Sequence, residues 1–169
     1  VDYSFSDKNV MLRGVTTSAE AKNALLKELA RKGYAVMDCL ELLPDVKGLE
    51  GKTCGIINVS VANMRVAPDF SSEMMTQSLM GMPVRVLQRD GWVRIQTPDN
   101  YIAWVHRVGV HPVTEEEMAA WNKAEKIVVT AHYGFVYSEP NQTSQTVSDV
   151  VAGNRLKWEG SKGAFYKVT

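Results

Sequence analysis

The spacing of apolar residues changes character near residue 50. Before that point it predicts strand, helix, strand. Val10-Met11-Leu12-Arg13-Gly14 is a short apolar run closed by a turn residue. Thr17-Ser18-Ala19-Glu20 has the form of a capping box, with the threonine oxygen accepting from the amide three residues on. Ala21, Ala24, Leu25 and Leu29 then share one helical stripe, with Lys22, Lys27, Glu28, Arg31 and Lys32 on the polar side. Gly33 is placed to end the helix in a left-handed conformation. Tyr34 to Leu43 follows as a second strand, stopped by Pro44-Asp45. Two strands and one helix cover too little apolar surface to stand alone, so residues 1–50 read as an incomplete module.

From Lys52 onward the pattern is one of short strands separated by Pro, Gly and Asp. Gly55–Val59, Met64–Val66, Val84–Leu87, Trp92–Ile95 and Ile102–Val105 are strand candidates, with Arg89-Asp90-Gly91 as a tight hairpin turn. Short strands in such close succession predict a small closed barrel, because closure removes unpaired edges. Thr114-Glu115-Glu116-Glu117 is a second capping box, and Met118 with Trp121 makes an apolar pair on the short helix it opens.

The barrel pattern then recurs. Pro68 and Gly81 are spaced like Pro140 and Gly153, and that alignment puts Ile57 with Val129, Met64 with Val136, and Phe70-Ser71-Ser72 with Gln142-Thr143-Ser144. Trp92-Val93-Arg94-Ile95 matches Phe165-Tyr166-Lys167-Val168 once the second hairpin, Gly160-Ser161-Lys162-Gly163, is given one extra residue. The first copy continues into Tyr101-Ile102-Ala103-Trp104-Val105, whereas the second stops at Thr169 and is expected to be truncated.

Composition narrows the class. With 45% hydrophobic and 22% charged residues the chain is globular rather than disordered. Its 19 basic and 19 acidic side chains cancel, which argues against a general nucleic-acid or anionic-membrane binder. No apolar run approaches the roughly 20 residues of a membrane span. Two cysteines cannot build a disulfide framework. The chain opens on Val1 with no leader pattern, so a processed or shortened piece of a longer protein is expected.

The segments Asn58–Pro68, Thr76–Val84, Gly91–Ile95 and Tyr101–Val105, in that order, resemble a bacterial SH3 domain. More narrowly they are similar to the first of the paired SH3 domains that precede the catalytic domain of NlpC-type cell-wall cysteine peptidases, dipeptidyl-peptidase VI among them. The resemblance covers 52–112 well and 126–169 loosely. Residues 1–47 resemble a strand-helix-strand module of the BON type found in envelope proteins. The implied fold is α+β, mainly β: a BON-like module at 1–50, SH3 domain 1 at 52–112, a linker helix at 113–125 and a truncated SH3 domain 2 at 126–169.

Function follows from the same resemblance. Such peptidases cut peptidoglycan stem peptides after γ-D-glutamate, as γ-D-glutamyl-L-diamino acid endopeptidases. Their SH3 domain borders the active site and helps hold the free amine of the L-Ala through a Tyr and a nearby acid. Tyr101 stands at the matching tyrosine position. The acid position departs from the pattern, because Met74-Met75 precede Thr76-Gln77 and the nearest carboxylate is Glu73. The expected role is therefore a substrate-positioning, wall-binding part of an envelope, periplasmic or secreted hydrolase. Its partners would be the L-Ala-γ-D-Glu end of the stem peptide and a catalytic domain of the same parent protein. The alternative is a stand-alone SH3-like binding or scaffolding module for wall peptides or a protein partner, with no peptidase attached.

Other chemistry-bearing residues point the same way. Asp38-Cys39 superficially matches an Asp-Cys nucleophile pair, but Leu40-Glu41-Leu42-Leu43 reads as strand where a nucleophilic cysteine needs a helix start. Cys54 reads as a small apolar filler. His106, His111 and His132 have no metal-ligand spacing, and no metal or cofactor is expected. Trp92 and Trp104 lie in strand patterns and read as barrel core, while Tyr101, at a loop-to-strand junction, reads equally as core or as a reachable side chain. Met74, Met75, Met80 and Met82 read as filler against a neighbour, and Arg65, Arg85, Arg89, Arg94 and Arg107 as the wet face of the barrel.

Overall fold

The computed structural model describes all residues, 1–169, in two compact units, Val1–Val46 and Lys47–Thr169. In the first, strands β1 (Asp2–Ser6) and β2 (Asn9–Thr16) form a hairpin, and helix α1 (Ala19–Arg31) crosses over to β3 (Ala35–Leu42), which runs parallel to β2. The hairpin is one strand more than the sequence pattern predicts. Tyr3 and Phe5 alternate with polar residues, but both are largely exposed and mark no core.

Two details of α1 differ from expectation. Its N-cap is Ser18, one residue later than Thr17, and the Ser18 hydroxyl oxygen accepts from the Ala21 amide. The face toward the sheet is Leu26 and Leu29, packed on Val10, Leu12 and Leu40, while Leu25 is exposed. Lys22 leaves the polar side. Its ammonium donates to the Leu40 carbonyl and pairs with Asp38 at 2.9 Å. Gly33 ends the helix as predicted, at φ +81°.

The second unit opens with seven strands: β4 (Cys54–Ile57), β5 (Val61–Arg65), β6 (Met74–Leu79), β7 (Pro83–Asp90), β8 (Trp92–Gln96), β9 (Ile102–His106) and β10 (Val110–Val113). They are hydrogen-bonded in the order β10-β4-β7-β8-β9-β5-β6. In a flat sheet β10 and β5 would stand about 24 Å apart, five strand spacings. Instead Val110 of β10 and Met64 of β5 lie in one core with Ile57, Val84, Val86, Val93, Ile95, Ala103 and Val105, so the sheet is rolled around that core. Alternation decides which side chains enter: Val93 and Ile95 are buried, while Trp92 and Arg94, which alternate with them, point out. The tryptophans are therefore not barrel core. The methionines divide, Met80 buried and Met82 against the core, but Met74 and Met75 exposed.

Helix α2 (Glu115–Lys123) follows, opened by the capping box of Thr114 and Glu117 that the sequence predicts. Beyond it lie β11 (Lys126–Val128), β12 (Tyr133–Tyr137), β13 (Thr146–Val151), β14 (Arg155–Lys162) and β15 (Phe165–Val168). These repeat β4 to β8 bond by bond. The Gly81 amide donates to the Ile57 carbonyl at 2.7 Å, and the Gly153 amide donates to the Val129 carbonyl at 2.8 Å. Val66 donates to Glu73 as Ser138 does to Gln145. The Asp69 carboxylate caps Ser71 as the Asn141 amide oxygen caps Thr143. Even the irregularities recur, at Met64/Arg65 and Val136/Tyr137, and at Val86–Gln88 and Trp158–Gly160.

The two copies touch through buried polar contacts. Asn154, fully buried, donates to the Ser60 carbonyl and accepts from the Val151 amide. Ser60 donates to Asp149 at 2.8 Å, and the Arg155 amide to the Met80 carbonyl at 2.9 Å. Gly81, at φ +82°, allows this approach, since a Cβ there would sit 2.2 Å from the Arg155 carbonyl oxygen.

Candidate functional site

The outward face of the first copy carries an aromatic cluster. Phe70 packs on Trp92 at 4.9 Å and on His106 at 5.1 Å between ring centroids, and Trp92 meets His106 edge-on at 5.4 Å. Strand alternation places Trp92 and His106: they are cross-strand partners in the β8–β9 register, outside the core. A rigid turn places Phe70. The Asp69 carboxylate accepts from both the amide and the hydroxyl of Ser71, while Ser72 Oγ accepts from the Ala67 amide. The Ser71 amide first, then its hydroxyl, holds the Asp69 carboxyl below its ordinary value.

At the cluster lies a cleft of about 210 Å³, lined from β5 and its lead-in by Val59, Val61, Asn63 and Arg65, from β8 and β9 by Trp92 and His106, and by Phe70 and Val108. Phe70 remains 68% exposed, which for a loop phenylalanine leaves a large apolar face in water. Arg94 stacks over the Trp104 ring at 5.6 Å on the same outer surface.

Tyr101 and Glu73, the two residues singled out for amine recognition, are both exposed. Glu73 ends the turn that leads into β6, its carbonyl accepting from the Val66 amide at 3.0 Å, and Tyr101 immediately precedes β9. No hydrogen bond joins them. Tyr101 is anchored by its backbone, its amide donating to Thr97 Oγ1 at 3.1 Å and its carbonyl accepting from the Thr97 amide at 3.0 Å. Phe70 and His106 carry no signal in the linear pattern that marks them as a pair. The repeat was the available clue, since the position of Phe70 is Gln142 in the second copy.

The cysteines lie elsewhere. Cys39 is exposed in the middle of β3, in a unit that contains no histidine. Cys54 is half-buried on β4, where burial pushes its thiol up, away from thiolate. His111 and His132 are exposed and separate from the aromatic cluster.

Comparison with known proteins agrees with the closed barrel. Residues 64–108 match the family model described as the bacterial dipeptidyl-peptidase SH3 domain. No curated protein matches the chain. Two solved structures share its fold. An NlpC/P60 family protein from Bacillus cereus aligns over 68% of this chain and 50% of its own, at 20% identity and a TM-score of 0.54. An NlpC/P60 endopeptidase from Photobacterium damselae subsp. piscicida aligns over 90% of this chain and 36% of its own, at 13% identity and a TM-score of 0.54. At 90% coverage the second likeness extends well into the first 46 residues. The chain spans half or less of the length of both. Residues 64–108 are thus similar in sequence to a peptidase-associated bacterial SH3 domain, and the chain is similar in fold to part of two NlpC/P60 proteins.

Proposed function

We propose that this chain is the non-catalytic, substrate-positioning part of an NlpC-type hydrolase of peptidoglycan stem peptides, acting in the cell envelope. The observation that carries the reading is the family-model match at 64–108, which falls on the closed barrel and takes in the whole aromatic cluster. In this reading residues 52–112 are a first bacterial SH3 domain and 126–169 a second, joined by the 113–125 helix and preceded by a BON-like module at 1–50. The recurrence of the hydrogen-bond pattern supports the pairing. Catalysis belongs to an NlpC-type domain of the parent protein.

Tyr101 and Glu73 are the residues this reading sets against the L-Ala amine, Glu73 by charge and Tyr101 by its hydroxyl. Their exposure supports that assignment, since both side chains are open to a ligand. The test uses the parent peptidase. Tyr101→Phe is expected to lower kcat/KM about tenfold on a stem peptide with a free L-Ala amine and to leave the N-acetylated peptide unchanged. Equal kcat/KM for variant and wild type on the free amine removes Tyr101 from the site. Wall-peptide binding by a parent protein that has no peptidase activity would favour the scaffold instead.

A further inference from the structure

The cleft at Phe70 has a charge character of its own. Of the residues that wall it, only Arg65 and His106 can carry charge, and none is acidic. Arg65 is half-buried and makes no salt bridge. Its Nη1 donates to the Ser72 carbonyl, which uses one of five guanidinium donors and fixes the group in the cleft wall. Asp69 feels the charge of Arg65 but makes no salt bridge with it, and its Oδ1 accepts from both the amide and the hydroxyl of Ser71. A half-buried guanidinium and an exposed phenylalanine lining one mainly apolar cleft select a ligand with an anion next to an apolar group.

We propose that this cleft binds an extended peptide carrying a carboxylate side chain beside an apolar one. The apolar group covers Phe70 and the edge of Trp92, and the carboxylate takes the free donors of Arg65. The second copy differs at both anchors of this arrangement: Gln142 stands where the first has Phe70, and Tyr137 where it has Arg65. The site therefore belongs to the first copy alone. It rests on the peptide-binding side of the function proposed above, but it requires neither a peptidase nor Tyr101.

The test is a titration of the 169-residue chain, followed by the indole and backbone amide resonances of Trp92, Phe70, His106 and Val108. The probes are acetyl-Leu-Glu-amide, acetyl-Leu-Gln-amide and acetyl-Leu-Lys-amide. Shifts are expected at these four residues, with the Glu peptide bound about fivefold more tightly than the Gln peptide and the Lys peptide weakest. Phe70→Ala, at an exposed position that leaves the fold intact, weakens the Glu peptide about tenfold. Arg65→Gln abolishes the preference for Glu over Gln, and Arg65→Lys restores part of it. Tyr101→Phe changes nothing in this titration, which separates a failure here from a failure of the amine-recognition proposal. Equal binding of the Glu and Gln peptides to the wild type overturns the proposal whatever the variants do. So do shifts that map elsewhere, or no shift up to the solubility limit.

Discussion

The two copies of the barrel plan share their turns, their bulges and their hydrogen bonds, yet only one has a dry core. Ile57, Met64, Val86 and Ile95 of the first copy are fully buried. Their counterparts in the second, Val129, Val136, Trp158 and Val168, all keep contact with water, and Tyr166, at the position of buried Val93, is 68% exposed. The difference is β9. In the first copy it bonds to β8 on one side and to β5 on the other, linking the two halves into one rolled sheet. In the second, β15 bonds only to β14 and β12 only to β13, which leaves two separate sheets with an apolar cleft of about 650 Å³ between them. Local turn chemistry builds the strands of this plan, but one crossing strand makes them a barrel.

Substitutions at matched positions should break this comparison in order of burial. Ile95→Ala is expected to cost about 2–5 kcal/mol in urea denaturation, since it empties a fully buried site. Val168→Ala, its counterpart, should cost less than about 1 kcal/mol. Asn154→Ala tests whether the copies stabilise each other. It strands the Ser60 carbonyl and the Val151 amide, and should cost about 2–4 kcal/mol in the same measurement. Gly81→Ala forces a Cβ onto the Arg155 backbone at positive φ and should cost about 1–3 kcal/mol. Gly153→Ala, at φ +90°, carries the same backbone strain but meets only the movable Leu79 side chain at 2.8 Å, and should cost less.

The smallest effect lies in the first unit. The Leu40 amide first, then Lys22, holds the Asp38 carboxyl below its ordinary value of 3.8. The contribution is therefore complete above the ordinary carboxylate range and is lost as pH falls through the lowered value. Asp38→Asn should therefore lower the neutral side of the stability profile slightly and flatten its acid limb, the two proteins converging at the acid end, as thermal melts across pH 2–7 would register.

How legible all this was depended on what each residue answers to. The repeat was visible because turns demand particular residues: Gly at 81 and 153, and an Asx side chain at 69 and 141 to cap the next turn. The α2 capping box was visible for the same reason. The placement of Trp92 and Trp104 was not, because their strands alternate apolar with apolar-bodied residues, and only the register shows which set turns inward. The β1 strand escaped notice because an exposed edge strand needs no buried face. The aromatic cluster joins positions 70, 92 and 106, far apart in sequence, which only the pairing order β8-β9-β5 brings together.

Residue-resolved amide hydrogen exchange on these 169 residues tests most directly the claim that β9 separates the copies. The account predicts that Val93 and Ile95 of β8, flanked by strands on both sides, exchange only through global unfolding, while Tyr166 and Val168 of β15 exchange at least about a hundredfold faster. Equal protection of the two pairs would contradict it.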